Sequence, residues 1–449
     1  MNGLRSTEIA SSLLATDFYQ LTMLHAYREA GLHERASFEF FFRRLPPTRG
    51  FLVAAGLEIL LEKLETAQFS QAELDWLRST GRFPESFVND LAGWRFTGDV
   101  HAVSEGTIIF QNEPIIRIEA PICEAQLVET LTINFLHYQT LVASKAARCV
   151  LAAPQARLID FGLRRAHSLE AGLYAARAAY VAGFSGTASV HAGAAFGIPV
   201  YGTMAHSFIQ AHDDESRAFL DFARARPDDT IFLIDTYDTE AGARIVAAIA
   251  DKLRQLGIPV RGVRIDSGDL AAHACAVRKI LDESGLSVTR IIASGGLDEW
   301  KLRDLVAQGA PIDTYGIGTS LTTSEDVPML DCAYKLVEYG GVPKQKRSEG
   351  KVLWPGSKQV FRQYDSSGCL ERDILGLAGE KLEGEPLLWP VMRDGRAELM
   401  TLDANRKRTQ RGLQSLPHRL RDLGTPSDYP VEISDGLLRL AAELAKHGR

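Results

Sequence analysis

The residues best suited to chemistry lie at the ends of short apolar runs between Arg157 and Leu321. The runs end in Ile159-Asp160-Phe161-Gly162-Leu163-Arg164-Arg165, Gly202-Thr203-Met204-Ala205-His206-Ser207, Ile234-Asp235-Thr236-Tyr237-Asp238, Arg264-Ile265-Asp266-Ser267-Gly268-Asp269, Ala293-Ser294-Gly295-Gly296 and Gly316-Ile317-Gly318-Thr319-Ser320. In a βα barrel the loops after the strands converge on one open face. The pattern therefore predicts one pocket built from these distant segments.

His206 is the side chain with the most reactive chemistry in this set. An imidazole suits proton transfer or acceptance of a phosphoryl group near neutral pH. An isolated histidine after an apolar strand is more often structural. Here, however, Asp235 should end the neighbouring strand, where its carboxylate could orient the ring through the other ring nitrogen.

Carboxylates, guanidiniums and glycines at the other strand ends are typical of a phosphate and sugar site. Asp266 and Asp269 suit ribose hydroxyls or Mg²⁺, although Asp269 could equally cap the following helix. Arg164 and Arg165 could bind a carboxylate through two parallel hydrogen bonds, or they could form surface ion pairs. Gly295, Gly296, Gly316 and Gly318 let backbone N–H groups approach phosphate oxygens, or simply form tight turns. The run from His212 to Glu215 resembles a metal cluster, but a solvated helix face explains it more simply.

The surrounding elements indicate an α/β protein whose strands and helices alternate between residues 151 and 330. Ser168, Thr239 and Asp298 should open helices that end near Gly183, Gly257 and Gly309. Fewer than eight strands can be counted, so we expect an irregular TIM-like α/β barrel. An apolar strand is expected before His206.

The flanking segments, 1–150 and 331–449, predict a mixed α+β arrangement. We expect a helix from Thr16 to Ala30, strands at 36–42, 98–110 and 114–119, and a helix from about 124 to 150. The segment after 330 contains strands, turns and a basic loop, with seven Lys or Arg against two Glu between Lys335 and Arg362. A second basic stretch, from Arg406 to Arg421, contains no acid and is expected to be a surface face.

Composition limits the classes of function. The chain has 449 residues, 45% hydrophobic residues and a net charge of −7, which predicts two or three soluble domains without nucleic-acid or membrane affinity. Five scattered cysteines (Cys123, Cys149, Cys275, Cys332 and Cys369) predict free thiols in a reducing compartment. No signal peptide or long apolar run is present, so we expect a cytoplasmic protein.

Together these motifs resemble the nicotinate phosphoribosyltransferase family, among the type II phosphoribosyltransferases. The resemblance extends from Ala15-Thr16-Asp17-Phe18-Tyr19-Gln20 and Phe40-Phe41-Phe42-Arg43, through every strand-end motif, to the basic loop. It implies that nicotinate and 5-phosphoribosyl-1-pyrophosphate give nicotinate mononucleotide and pyrophosphate in NAD biosynthesis, with ATP as co-substrate and Mg²⁺ required. It also implies an α+β domain built from both terminal segments, and a homodimer with a shared active site.

The resemblance also implies roles for individual residues. His206 matches a phosphorylated histidine oriented by Asp235. Arg264 and Asp266 match residues near the ring and the ribose, and Phe161 and Arg164 match residues of the base pocket. Tyr19 matches an aromatic residue contributed by the partner subunit. The residues expected at phosphates are Gly295, Gly296, Gly316 and Gly318 for the 5-phosphate, and Arg43, Lys344, Lys346 and Lys351 for the other phosphates.

The base should be the acid and not the amide. Related nicotinamide enzymes place an Asp where Ala188 stands, and a carboxylate there would repel nicotinate. Nicotinamide phosphoribosyltransferase remains an alternative, as does a non-catalytic phosphate-ligand binding protein on the same barrel. Quinolinate phosphoribosyltransferases are disfavoured because that family is shorter and lacks the histidine.

Overall fold

The structure is a computed structural model that describes residues 12–348, 351–424 and 427–446. Its described residues form two compact units. Unit 1 combines the described parts of Met1–Ser144 and Met329–Arg449, and unit 2 is Lys145–Pro328. The predicted α/β class is confirmed, because unit 2 is built on a parallel sheet flanked by helices.

The first part of the chain supplies helices and strands to unit 1. They are α1 (Phe18–Glu29), β1 (Arg35–Arg44), β2 (Leu52–Val53), α2 (Leu57–Thr66), α3 (Gln71–Ser79), α4 (Glu85–Leu91), β3 (Asp99–Val103), β4 (Ile108–Ile109), β5 (Pro114–Pro121), α5 (Ile122–Leu127) and α6 (Glu129–Ala152). Helix α1 begins at Phe18, with Asp17 at its N-cap position, so the predicted start at Thr16 was two residues too early. The single helix predicted over 124–150 is two helices, because Val128 leaves helical geometry between them.

Unit 2 alternates strands with helices. They are β6 (Arg157–Asp160), a 3₁₀ turn (Leu163–Arg165), α7 (Leu169–Ala182), β7 (Gly186–Thr187), α8 (Val190–Phe196), α9 (His206–Gln210), α10 (Glu215–Ala225), β8 (Ile231–Leu233), α11 (Thr239–Gln255), β9 (Gly262–Ile265), α12 (Leu270–Glu283), β10 (Arg290–Ala293), α13 (Glu299–Ala307), β11 (Thr314–Ile317) and α14 (Thr319–Thr322). The strand order is β7-β6-β11-β10-β9-β8, with every pairing parallel. This is the order of a barrel opened between β7 and β8, as expected for an irregular TIM-like barrel.

Side-chain caps fix where several barrel helices begin. Ser168 accepts the Ala171 N–H at 3.0 Å, and Asp298 accepts the Lys301 N–H at 2.8 Å, so both predicted caps are confirmed. Asp238 caps α11, and Thr239 is the first helical residue. Asp269 caps α12 through the Ala272 N–H. Capping was the alternative that we gave for Asp269 beside a role in a sugar or Mg²⁺ site.

No strand precedes His206 within the described residues of this segment, in contrast to the prediction. The chain makes one isolated parallel bridge, between Thr187 and Val200, and then leaves the sheet. Pro199 has no N–H to donate, and Gly202 disfavours an extended ladder, so pairing ends after one bridge. His206 instead opens the short helix α9.

The last part of the chain completes unit 1. Its elements are β12 (Asp331–Tyr339), β13 (Val342–Pro343), β14 (Arg347–Ser348), β15 (Lys351–Val352), β16 (Lys358–Tyr364), β17 (Leu370–Leu377), β18 (Glu385–Pro386), β19 (Leu388–Arg393), β20 (Arg396–Ala397), α15 (Leu402–Ser415), α16 (His418–Arg421), β21 (Val431–Ile433) and α17 (Asp435–Lys446). The seven-stranded sheet β13-β12-β1-β5-β3-β19-β20 joins strands from both ends of the sequence. Phe38 of β1 stacks on Tyr334 of β12 with ring centroids 4.9 Å apart. This buried aromatic contact stabilises the pairing of β1 with β12. Across the described residues, no helix is both long and apolar enough to span a membrane.

A buried ion cluster ties α6 to α13 within unit 2. Glu299 is fully buried; its Oε2 lies 2.6 Å from Lys145 Nζ, and its Oε1 accepts a hydrogen bond from Arg148 Nε at 2.9 Å. Lys145 also lies 2.7 Å from Asp326. Two buried cations thus share the Glu299 carboxylate, so its removal would take a charged partner from both of them.

Glu299→Ala should therefore lower the free energy of unfolding by about 3–5 kcal/mol. Chemical denaturation followed by circular dichroism measures the change. The matched control is Glu283→Ala, which removes an exposed carboxylate 3.9 Å from Lys279 and should change stability by less than about 1 kcal/mol. Equal effects of the two substitutions would contradict the assigned role of the cluster.

Candidate active site

The register of the parallel sheet brings the predicted strand ends to one edge of unit 2. Asp160 pairs with Ile317, and Ala293 pairs with both Ile265 and Tyr315. Because parallel strands point the same way, the tails that follow them emerge from the same edge. The residues predicted at the ends of β6, β8, β9, β10 and β11 therefore lie around one rim.

His206 and Asp235 lie close together at this rim, without the predicted hydrogen bond. His206 Nε2 is 4.0 Å from Asp235 Oδ1, which is too long for a hydrogen bond. The ring is held instead at Nδ1, which lies 3.1 Å from the Thr236 hydroxyl. The His206 side chain is 40% exposed, so the imidazole is open to a ligand.

Asp235 is a buried carboxylate in which one oxygen accepts hydrogen bonds and the other has no hydrogen-bond partner among the described residues. Its Oδ2 accepts hydrogen bonds from the Asp266 N–H at 2.9 Å and the Ser267 hydroxyl at 2.7 Å. Its Oδ1 is buried and has no hydrogen-bond partner among the described residues. A buried polar atom without a partner is rare in folded proteins and often marks a functional position.

Asp266 extends this network to the end of β10. Its Oδ1 accepts a hydrogen bond from the Ser294 hydroxyl at 2.5 Å. Side chains thus connect the tails of β8, β9 and β10, which holds the two carboxylates in fixed positions. The other Asp266 oxygen is available to a ligand hydroxyl or a cation.

Arg264 places a half-buried positive charge beneath the same rim. Its Nη2 donates to the Met204 carbonyl at 2.8 Å, and its Nε is buried without a hydrogen-bond partner in the described part of the chain. Burial lowers the pKa of Arg264; the carboxylates of Asp266 and Asp235 oppose this shift, and Arg164 adds to it. Arg164 and Arg264 are therefore neighbouring cations, as expected of an anion-binding site.

Phe161 explains the two glycines at the end of β11, Gly316 within the strand and Gly318 just after it. A Cβ atom on Gly316 would lie 2.5 Å from the Phe161 ring, and one on Gly318 would lie 2.9 Å from the Phe161 carbonyl oxygen. These glycines make room for the aromatic residue, a structural reason that differs from the tight turn given as the alternative to a phosphate site. Their predicted contact with a phosphate stays a prediction.

Gly295 and Gly296 form a different kind of turn. Both have positive φ, +96° and +60°, and both are exposed. A Cβ on Gly295 would lie 2.0 Å from the Asp266 carbonyl oxygen, so only glycine fits there. The turn leads directly into α13, whose N-terminal amides favour an anion.

Lys301 is a basic residue at this turn that the sequence analysis missed. Its ammonium donates to the Gly296 carbonyl at 2.6 Å. The available signal was a lysine in the first turn of a helix, where the helix dipole favours acids. Such a placement disfavours the isolated helix and is compatible with a bound anion.

The structure also shows where Ala188 and the run from His212 to Glu215 lie. Ala188 is exposed just after β7, where its N–H donates to the Asp160 carbonyl at 2.8 Å. Burial raises the pKa of Asp160, while the Thr187 hydroxyl and the Gly162 N–H oppose the shift. Asp214 caps α10, and the described residues contain no group of three or more His, Cys, Asp or Glu able to hold a metal.

The remaining predicted ligand contacts belong to unit 1. Tyr19 is exposed on α1, and partial burial, followed by the charges of Glu129 and Asp17, raises its pKa. Arg43 forms an ion pair with Asp331 at 2.9 Å. Lys344 and Lys346 are exposed beyond β13, and the Lys351 side chain lies outside the described residues. Their contacts with substrate stay predictions.

Comparison with known proteins identifies relatives along most of the chain. Family models match residues 14–137 (nicotinate phosphoribosyltransferase N-terminal domain), 156–361 (nicotinate phosphoribosyltransferase family) and 381–441 (nicotinate phosphoribosyltransferase C-terminal domain). Nicotinate phosphoribosyltransferase pncB2 of Mycobacterium tuberculosis is 47% identical over 437 residues, covering 96% of this chain and 93% of the relative. Nicotinate phosphoribosyltransferase of Bacillus subtilis is 42% identical over 388 residues, covering 84% and 78%.

A solved structure agrees with these matches. The crystal structure of human nicotinic acid phosphoribosyltransferase superposes with a TM-score of 0.86 at 30% identity, covering 96% of this chain and 99% of the human chain. Sequence similarity and fold thus agree over nearly the full length. The chain belongs to the nicotinate phosphoribosyltransferase family.

Proposed function

We propose that this protein transfers the phosphoribosyl group of 5-phosphoribosyl-1-pyrophosphate to nicotinate, giving nicotinate mononucleotide and pyrophosphate for NAD synthesis. The observation that carries the proposal is the joining of His206, Asp235, Asp266 and Arg264 at one sheet edge, in a chain 47% identical to a nicotinate phosphoribosyltransferase. This set supplies a phosphoryl acceptor, carboxylates and a half-buried positive charge around one opening.

The transfer step needs positioning and charge stabilisation more than acid–base chemistry. The pyridine nitrogen already has a lone pair; it forms a bond to the sugar C1 as the bond from C1 to pyrophosphate breaks, with the electron pair leaving on pyrophosphate. Arg264 and Arg164 would hold negative charge, and Asp266 would hold the ribose hydroxyls. Fixed groups of this kind lower the barrier by orientation and by stabilising developing charge.

The 5-phosphate would bind at the glycine turns, with Lys301 beside them. The N–H groups of Gly295 and Gly296 make no hydrogen bond within the described residues, and both glycines are exposed. Gly316 and Gly318 complete the predicted phosphate set. Phe161 would stack on the pyridine, with Arg164 near its carboxylate.

ATP is proposed as co-substrate through phosphorylation of His206. One ring nitrogen attacks the γ-phosphorus, ADP leaves with the bridging oxygen, and water later releases phosphate from the ring. The unpartnered Asp235 Oδ1 would accept the N–H of Nε2 when the ring moves about 1 Å closer, bringing 4.0 Å within hydrogen-bond range. That contact would stabilise the charge that the ring gains, and Nδ1 would be the phosphoryl acceptor once its contact with the Thr236 hydroxyl breaks.

Mg²⁺ is proposed to enter with the phosphates of the substrates. Magnesium in proteins is commonly held by one or two carboxylates together with substrate phosphates. The carboxylate of Asp266 fits this mode, because one of its oxygens accepts a hydrogen bond from Ser294 and the other is available to a cation. When bound, the ion would neutralise charge on the departing pyrophosphate.

The proposed active site is shared across a homodimer. Tyr19 of the partner would cover the face of the pyridine opposite Phe161. Arg43, Lys344, Lys346 and Lys351 are proposed to meet phosphates of ATP or of the sugar diphosphate. Release of pyrophosphate on mixing the sugar diphosphate with nicotinate tests the activity itself; its absence would favour the non-catalytic alternative.

His206→Ala should retain a low rate of nicotinate mononucleotide formation and lose ATP hydrolysis to background, because the phosphoryl acceptor is gone. Both products are measured in parallel by chromatography. His418→Ala, which removes an exposed histidine of unit 1, is the matched control and should leave both rates unchanged. ATP hydrolysis at the parental rate in His206→Ala would refute the phosphohistidine.

Ala188→Asp should lower kcat/KM for nicotinate by about tenfold or more, since a carboxylate near the base repels the acid. The value for nicotinamide should rise or stay the same. Ala188→Asn has nearly the same shape without the charge, and it should retain most nicotinate activity. A similar loss for Asp and Asn would show that size and not charge governs this position.

Tyr19→Ala and His206→Ala should each be defective alone and should partly complement each other when co-expressed. In mixed dimers one of the two sites would combine an intact Tyr19 with an intact His206. ATP-coupled product formation by the purified mixed dimer measures this. Activity no higher than that of either single variant would contradict a site shared between subunits.

A further inference from the structure

A polar cavity opens within unit 1. It has a volume of about 450 Å³, and its walls come from the strands β16, β17, β18 and β19, the helix α15 and the residues around β4. Six side chains determine its chemistry: Arg362, Tyr364, Glu385, Trp389, Arg408 and Arg411. Cavities of this volume are typical of small-molecule sites.

One wall carries two arginines, Arg408 and Arg411, that form no ion pair with a carboxylate in the described part of the chain. Arg408 donates from Nη1 to two neutral acceptors, the Glu105 carbonyl at 2.9 Å and the Asn405 side-chain oxygen at 3.0 Å. Arg411 makes no hydrogen bond or ion pair within the described residues. Burial lowers the pKa of Arg408; the charges of Glu58, Glu105 and Glu385 oppose the shift, and the nearby charge of Arg411 adds to it.

The spacing of these two arginines suits a doubly charged anion. Residues three apart on a helix lie on the same side, so Arg408 and Arg411 reach toward the same space. Arg362 differs from them, because Asp373 neutralises it at 2.6 Å. A phosphate monoester carries about −1.5 to −2 charge at pH 7, which matches two guanidiniums.

Aromatic side chains and an acceptor form the rest of the lining. Trp389 is 51% exposed and Tyr364 is 43% exposed, and neither has a ring partner in the described part of the chain. Exposed aromatic faces of this kind stack well on heterocyclic bases. Glu385 accepts the Tyr364 hydroxyl at 3.1 Å and retains a second oxygen for a ligand hydroxyl or amino group.

We propose that this cavity binds a nucleoside monophosphate, with its phosphate between Arg408 and Arg411 and its base against Trp389. The proposal gives a role to part of the basic stretch from Arg406 to Arg421, which the catalytic proposal leaves unused. It does not depend on the transferase activity, because every residue in it belongs to unit 1 and none is assigned to catalysis.

The test is calorimetric titration of the full-length protein with AMP, adenosine and inorganic phosphate. The variants are Arg411→Glu and Trp389→Ala, both at exposed positions where folding should be unaffected; circular dichroism checks this. The matched control is Lys407→Glu, the same charge reversal on the same helix at an exposed residue that pairs with Asp403 at 3.0 Å and does not line the cavity.

The expected result has a distinct pattern for each variant. Arg411→Glu should weaken AMP binding about tenfold or more, and Lys407→Glu should leave it nearly unchanged. Trp389→Ala should weaken AMP binding and leave phosphate binding unchanged, and adenosine should bind less tightly than AMP. No AMP binding at millimolar concentration, AMP affinity unchanged in both cavity variants, or equal losses in Arg411→Glu and Lys407→Glu would each overturn the proposal.

Discussion

The parallel register of the unit 2 sheet is the constraint on which the candidate active site depends. Its strands contain only two to four residues, so the alignment of their ends fixes where the following tails begin. Side chains then tie these tails together: Asp160 accepts from Thr187 at 2.7 Å, and Asp266 accepts from Ser294. A shift of one residue in any pairing would turn the strand-end side chains to the other face and separate the carboxylates from His206.

Asp235 connects this scaffold to the proposed chemistry. One oxygen stabilises the tail of β9, which positions Asp266, while the other is buried and unpartnered in the described structure. Burying a carboxylate is unfavourable unless nearby charge compensates it, and Arg264 provides that charge. The Asp235 carboxylate is thus both a fixed structural element and an available hydrogen-bond acceptor. A small movement of the His206 ring toward it would form a hydrogen bond without rearrangement of Asp235.

Local signals in the sequence were sufficient for much of this architecture. Ser168 and Asp298 cap helices because their short polar side chains bond exposed amides, and such effects depend only on near neighbours. The missed features depend on tertiary contacts. The segment at Val200 has strand-like composition but finds only one bridge, and the Thr236 contact with His206 depends on how α9 meets the tail of β8. Val128 breaks the predicted long helix without a glycine or proline to signal it.

The two glycine pairs show how one sequence signal can have two physical origins. Gly316 is buried against the Phe161 ring, so glycine is required there by the aromatic side chain above it. Gly295 and Gly296 are exposed with positive φ and lead into the N-terminus of α13, beside the Lys301 ammonium. Backbone amides at the second pair can approach a phosphate oxygen without displacing a side chain, whereas those at Gly316 are covered by Phe161. Gly316 and Gly318 therefore position the Phe161 ring, whereas Gly295 and Gly296 offer the better site for an anion.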